Sequence, residues 1–398
     1  DLHSFPTRRS SDLLVDDFGE SLINSALYGL AWGAEMSWNP LKKTEAKKVE
    51  IEKSQRDTEL NFCIHFFGCT STEPLNDLHE LSHLTLYDEI GTFSAFTKSV
   101  TDFYPSLVED TVLKINEKVW DDLVALEQKI ENDKKLVKRN VSIFDNALYA
   151  IHRMRWCAER NIDRWQLYRA YTDPSEANIL DSKRMIGPLI ARLHDLKKEY
   201  IKVWNIESRP YWLEVNMRKY DDIARELQQI EYLPFIELIS TEGNAAIDLF
   251  TFLDFDKEIH YTLDGKEVTK SDPIYENPIQ LERPCLVKAA CFNEIGEAVR
   301  NERYFCYHKG MGRLKRLNSP AGNYRPEYSG GGDNALVDGT LGSDDYKDGR
   351  WQGFYGTDAD IEIDLGTWTK VNALNIGFLV NAHDWILRPD TIQVYGSY

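Results

Sequence analysis

Residues 258–300, EIHYTLDGKEVTKSDPIYENPIQLERPCLVKAACFNEIGEAVR, decide what kind of chain this is. The helical period stops after Pro234. Within the stretch, IHYTLDGKEVT, PIYENPIQL and LVKAACF read as short strands, parted by the Asp-Gly, Pro and Asn signals at which a chain turns. This pattern predicts a small all-β sandwich over 233–308. Cys285 and Cys291 stand six apart in it, so a strand points both to the same side, as for buried free thiols.

Upstream the period is that of long amphipathic helices. Val112, Ile115, Val119, Leu123, Leu126 and Ile130 step by three and four, as do Ile186, Leu189, Leu193, Leu196, Tyr200 and Val203. Leu148, Ile151, Ala158, Ile162 and Trp165 mark a third face, and Pro210 opens a fourth helix with Leu213, Met217, Tyr220 and Leu227. A four-helix antiparallel bundle follows from about Asp110 to Ile230, inside a helical region spanning 61–232. Further upstream, a short helix over Gly19–Gly29 precedes the apolar run LAWGAEMSW and Asn39-Pro40, a helix-then-strand unit that closes an α/β architecture over 14–60, which the resemblance given below implies is the remnant of a (β/α)8 barrel. The Lys- and Glu-rich run Lys42–Arg56 predicts one more helix, which the aromatic patch NFCIHFFG is expected to pack against the barrel. Downstream, a linker over 309–322 leads to a second β-patterned block, 323–398, with ADIEIDLG, VNALNIGFL and IQVYGS.

A chain of 398 residues has room for two to four domains of about 100–200 residues each, and 42% apolar content supplies their cores. The net charge of -18, from 65 acidic against 47 basic residues, excludes the basic stripe that nucleic acid requires. No apolar run reaches the ~20 residues of a membrane span. Six scattered cysteines give neither zinc-site spacing nor a disulfide framework.

Chemistry is densest at Trp32, Glu35, Trp38 and Asn39. Barrel enzymes bind substrate at the C-terminal ends of their strands, and an indole there offers a flat face to a sugar ring; the same tryptophans also suit the packed wall of a last strand. Asp88-Glu89 follows the apolar LTLY and reads as a solvated pair at a helix or loop boundary. His79 and His83, four apart, lack a third ligand at matching spacing and read as ordinary helix residues.

NSALYGLAWGAEMSWNP resembles the final strand segment of family 20 glycoside hydrolases, the β-N-acetylhexosaminidases, and ESRPYWLEVNMRKYD resembles the helical bundles that follow such barrels. The resemblance implies that Trp38 floors the pocket for an N-acetylhexosamine. Pro40 stands where the family has a hydroxyl-binding glutamate, which leaves Glu35 or Asn39 for that contact. It also implies substrate-assisted catalysis, in which the acetamido oxygen attacks the anomeric carbon and one protein acid protonates the leaving oxygen. The Asp-Glu pair that does this sits in the family on an earlier strand after Gly-Gly. Asp88-Glu89 follows the Trp38 motif without Gly-Gly, so no catalytic residue is expected here and the pair is expected upstream.

The opening DLHSFPTRRSSDL resembles a translated sequencing adapter, which sets residues 1–13 aside as an artefact and leaves the rest as the expected C-terminal part of a longer bacterial enzyme. The segment 258–300 resembles the sandwich of chitobiase-like enzymes and fibronectin-associated modules. GGGDNALVDGTLGSDDYKDGRWQGFYGTDADIEIDLG with WILRPDTIQVYGS resembles the discoidin (coagulation-factor type C) jelly-roll, here expected to break off within the domain. That likeness implies a structural calcium at Asp338, with Thr340 beside it, and a glycan platform of Trp351, Phe354 and Trp385. The expected parent is a retaining exo-β-N-acetylhexosaminidase acting on N-acetylhexosamine glycans in the periplasm, at the outer membrane or outside the cell. It needs no catalytic cofactor. ALYG and WNP resemble family 84 enzymes as well, and a non-catalytic glycan-binding or adhesive protein is the alternative outside the enzymes.

Overall fold

A computed structural model describes residues 28–29, 31, 34, 48–84, 90, 93–103, 108, 110–241, 244–317, 328, 330, 335–344, 346 and 348–396. Seven α-helices and small antiparallel sheets lie among them. The barrel remnant expected over 14–60 falls mostly outside these residues. The chain divides into two units, 1–102 with 110–228, and 103–109 with 229–398.

In the first unit the helices are α1 (Lys48–Phe62), α2 (Glu73–Leu84), α3 (Phe93–Thr97), α4 (Asp110–Leu136), α5 (Ser142–Thr172), α6 (Glu176–Glu207) and α7 (Leu213–Gln229). The last four are the helices that the apolar stripes predict. Val119, Leu123, Leu126 and Ile130 of α4 and Leu189, Leu193, Leu196 and Tyr200 of α6 are buried. Neighbours run antiparallel, because partner numbers fall as others rise: Asn161 bonds Asn116 and Lys134 bonds Asp145 between α4 and α5, while Lys197 bonds Asp221 and Asn216 bonds Tyr200 between α6 and α7.

The stripe fails at the first turn of α4. Ile115 is exposed and Asn116 takes the inward place, its amide donating to Val112 O (2.7 Å) and its carbonyl accepting from Asn161 Nδ2 (2.9 Å). Pro188 lies inside α6, where its missing N–H ordinarily breaks a helix. Here the helix continues past it to Glu207, and Trp156 Nε1 donates to Leu189 O at 3.1 Å. Ser175 caps the start of α6 by accepting from Asn178 N.

The core beyond Asn116 is polar as well. Arg160 and Arg164 of α5 are 1% and 0% exposed. Arg160 donates to Phe96 O (3.1 Å) and Lys98 O (2.9 Å), and Arg164 donates twice to Ser99 O. Both reach Asn161 Oδ1. Two buried guanidinium groups thus fasten the 96–99 backbone to α5 by satisfying carbonyls that have no ladder partner.

The aromatic patch NFCIHFFG continues α1, and the barrel it is expected to pack against lies mostly outside the described residues. α1 runs on through Phe62 into a π-helical turn, Cys63–Phe67, that ends at Gly68 in the left-handed region (φ 71°), and Phe67 packs on Phe144 of α5.

In the second unit the strands are β1 (Phe235–Thr241), β2 (Asn244–Phe250), β3 (His260–Thr262), β4 (Ile279–Gln280), β5 (Cys285–Phe292), β6 (Ala298–Phe305), β7 (Leu314–Leu317) and β8 (Ile361–Ile363). They form sheets β1-β2-β4 and β3-β5-β6 and the pair β7-β8, all antiparallel. The two three-stranded sheets share one core, in which Ile247, Leu249, Val287, Ala289, Cys291 and Phe305 meet. Cys285 and Cys291 are buried free thiols on the same side, as their even spacing predicts. Gly265 supplies the turn after β3 with φ 77°, and Asp264 Oδ1 accepts from Lys266 N. Leu314–Leu317 falls within the expected linker yet pairs with Ile361–Ile363, and the described residues 364–396 carry no strand.

Candidate functional site

Trp32, Glu35, Trp38, Asn39 and the pair Asp88-Glu89 lie outside the described residues. His79 is on α2, packed at a tilt against Tyr28 with ring centres 4.9 Å apart, and burial lowers its pKa. Among the described residues no group of three His, Cys, Asp or Glu side chains is placed to hold a metal ion.

Asp338 and Thr340 do come together, at the start of the last block. Asp338 Oδ1 accepts from Thr340 N (2.6 Å), and Thr340 pairs with the end of β6 through a bridge to Phe305. Arg303 of β6 joins them: its guanidinium donates to Thr340 Oγ1 (3.0 Å) and to Ile236 O (3.0 Å) and lies over the Phe305 ring. Burial pushes the Asp338 carboxyl up, against the pull of the Thr340 N–H and of Arg303. Burial and the neighbouring Arg350 push Arg303 down. Calcium takes six to eight oxygens, whereas this cluster offers one carboxylate and one hydroxyl with a guanidinium already on that hydroxyl. A calcium ion there would need backbone carbonyls as further ligands and Arg303 off Thr340 Oγ1.

The three aromatic candidates occupy different settings. Trp351 is half-buried, its Nε1 donating to Ser343 O at 2.7 Å and its indole lying where a Cβ on Gly342 would fall, 2.3 Å away. Asp348, buried beside it, accepts from Ser343 N (2.6 Å) and Arg350 N (2.8 Å) and fixes the same loop. Phe354 is half-buried, and Trp385 is 86% exposed on a turn closed by two Asn381–Ile386 backbone bonds. Trp385 takes φ 60°, a costly conformation for a bulky residue. No ring contact joins the three. Arg303 escapes sequence reasoning, since its partners Ile236 and Thr340 stand 67 and 37 residues away.

Residues 242–300 match the family model of the chitobiase/β-hexosaminidase C-terminal domain. The chain thus carries a hexosaminidase-like C-terminal module, formed by β2 to β6 of the second unit. No curated protein matches this chain. No described helix is long and apolar enough to cross a membrane.

Proposed function

We propose that this chain serves a retaining exo-β-N-acetylhexosaminidase that cleaves N-acetylhexosamine from glycans by substrate-assisted catalysis. The observation that carries this is the match of residues 242–300 to a hexosaminidase C-terminal domain. The family 20 resemblance around Trp38 agrees with it: the indole floors the sugar pocket and Glu35 or Asn39 contacts a hydroxyl. The acetamido group attacks the anomeric carbon, and an Asp-Glu pair on an earlier barrel strand orients that group and protonates the leaving oxygen. The module packs as a sandwich without a catalytic constellation, and its part is structural support.

The block after residue 323 is proposed as a discoidin-like glycan-binding domain in which exposed Trp385 offers its ring to a sugar. Calcium at Asp338 is a separate proposal that requires Arg303 to leave Thr340 Oγ1. A rise in melting temperature on adding calcium, absent in Asp338→Ala, tests it.

Sequencing and expressing the gene with the residues that precede Leu14 tests the enzyme proposal. An adjacent Asp-Glu after Gly-Gly, and turnover of an aryl N-acetyl-β-glucosaminide lost in Trp38→Ala, are expected. An Asp-Asp pair redirects the proposal to family 84. Absence of both pairs, with glycan binding alone, overturns it.

A further inference from the structure

The module has a cleft of about 360 Å³ that the hexosaminidase reading does not use, at the low end of the ~300–1,000 Å³ of small-molecule sites. It lies where β3 begins and β5 ends. The hairpin after β5 is fixed by Asn293 N donating to Glu297 O (2.9 Å) and by Glu297 N donating to Asn293 Oδ1 (2.9 Å), so that wall is preformed.

The deepest polar group is His260, 6% exposed. Its Nδ1 lies 2.8 Å from Asp272 O. A carbonyl only accepts, so Nδ1 donates there, and in the neutral ring Nε2 is the acceptor. No described group bonds Nε2, and the imidazole lines the cleft edge-on to Phe292 (centres 5.5 Å apart). The ring borders the cleft, so a donor that enters can reach Nε2.

Groups of both signs surround it. Lys257 sits over the Tyr232 ring at 4.3 Å and pairs with Asp254 at 2.9 Å, and Lys270 sits over Phe292 at 5.3 Å. Asp256, Glu258 and Glu294 line the same space. Opposite charges side by side disfavour an ion of either sign, and the capped rings offer no open face for stacking. What they suit is a ligand whose neighbouring groups each donate and accept, which is the chemistry of vicinal hydroxyls.

We infer that this cleft is a saccharide subsite of the module, taking a neutral, hydroxyl-rich sugar whose hydroxyl donates to His260 Nε2 while its neighbours bond the lysines and carboxylates. The inference is independent of hydrolysis, so turnover by the complete enzyme survives its failure.

Calorimetric titration of the full chain with tetra-N-acetylchitotetraose and with cellotetraose tests it. Binding of at least one is expected, about tenfold weaker in His260→Phe, which keeps the ring volume and loses the acceptor. Weaker binding is also expected in Glu258→Gln, an exposed rim change that keeps the fold and decides the matter if His260→Phe unfolds. The binding that His260→Phe weakens should persist in Trp385→Ala, which removes only the sugar contact proposed for the last block. No heat with either sugar overturns the inference, as does binding that Glu258→Gln and a folded His260→Phe leave intact. Binding lost only in Trp385→Ala assigns the sugar to the last block instead.

Discussion

The helices α4–α7 and the block 361–396 use similar apolar residues in opposite ways. The helices bury theirs and draw polar groups in with them: Arg160 and Arg164 bond backbone carbonyls, and the buried hydroxyls of Tyr149 and Tyr220 meet at 2.5 Å. The block leaves Trp368, Leu374, Ile376, Val380, Trp385 and Val394 in solvent. Helices satisfy their own backbone and need only side-chain partners, which neighbours a short loop away provide. A β block needs ladder partners as well, and among the described residues, 364–396 carry no strand and only the isolated Asn381–Ile386 bridge. An apolar pattern therefore stabilises the first region and not the second.

The sharpest way to break this comparison is to remove a buried guanidinium. Arg164→Leu removes both guanidinium bonds to Ser99 O, which keeps only the longer one from Asp102 N, and one of the two donors to Asn161 Oδ1, which keeps Arg160, so a loss of about 1–3 kcal/mol is expected in urea unfolding of the helical unit. A change below about 0.5 kcal/mol, ordinary for a surface site, contradicts the assigned role.

A truncation in the apolar layer comes next. Leu126→Ala, fully buried on α4, should cost about 2–4 kcal/mol in the same measurement. Ile115→Ala, only a few turns away and exposed, should cost far less. Equal costs erase the distinction between the stripe's buried middle and its exposed first turn.

Asp133 sharpens it through pH. The residue is 4% exposed, and burial together with the neighbouring Asp77 and Glu73 raises its pKa to about 7. An unfolded aspartate titrates near ~3.9, so between about 4 and 7 the folded state holds a proton that the unfolded state has released. Stability should fall as pH rises through that window and level off above it. Asp133→Asn should remove the slope and raise the melting temperature by a few degrees at pH 8, with little change at pH 4. A variant less stable at pH 8 reverses the sign and refutes the assignment.

The smallest effect belongs to Trp385→Ala. The indole meets water over 86% of its surface, so the melting temperature should move by about a degree or less. A large fall reveals packing in the block that the fold lacks.

Legibility from sequence followed the range of the interactions. The stripes of α4 and α6 were readable because residues three and four apart share a face, and the turn at Asp264-Gly265 because its chemistry is local. The β1–β2 hairpin was missed although Ala245, Ile247 and Leu249 alternate as a half-buried strand should. The run FIELIST before them has too little alternation to separate it from the end of a helix. Of the site, Asp338 and Thr340 were named from a motif. Arg303, which occupies the same cluster, has only distant partners that no local pattern encodes.

The proposal that the catalytic pair lies on an earlier barrel strand is tested directly by turnover of an aryl N-acetyl-β-glucosaminide by the purified chain. The expected result is no release of the aryl group above the rate without protein, because the proposed reading puts the acid and the acetamido-orienting carboxylate on an earlier barrel strand. Turnover that Glu89→Gln abolishes contradicts the account and makes Asp88-Glu89 the catalytic pair.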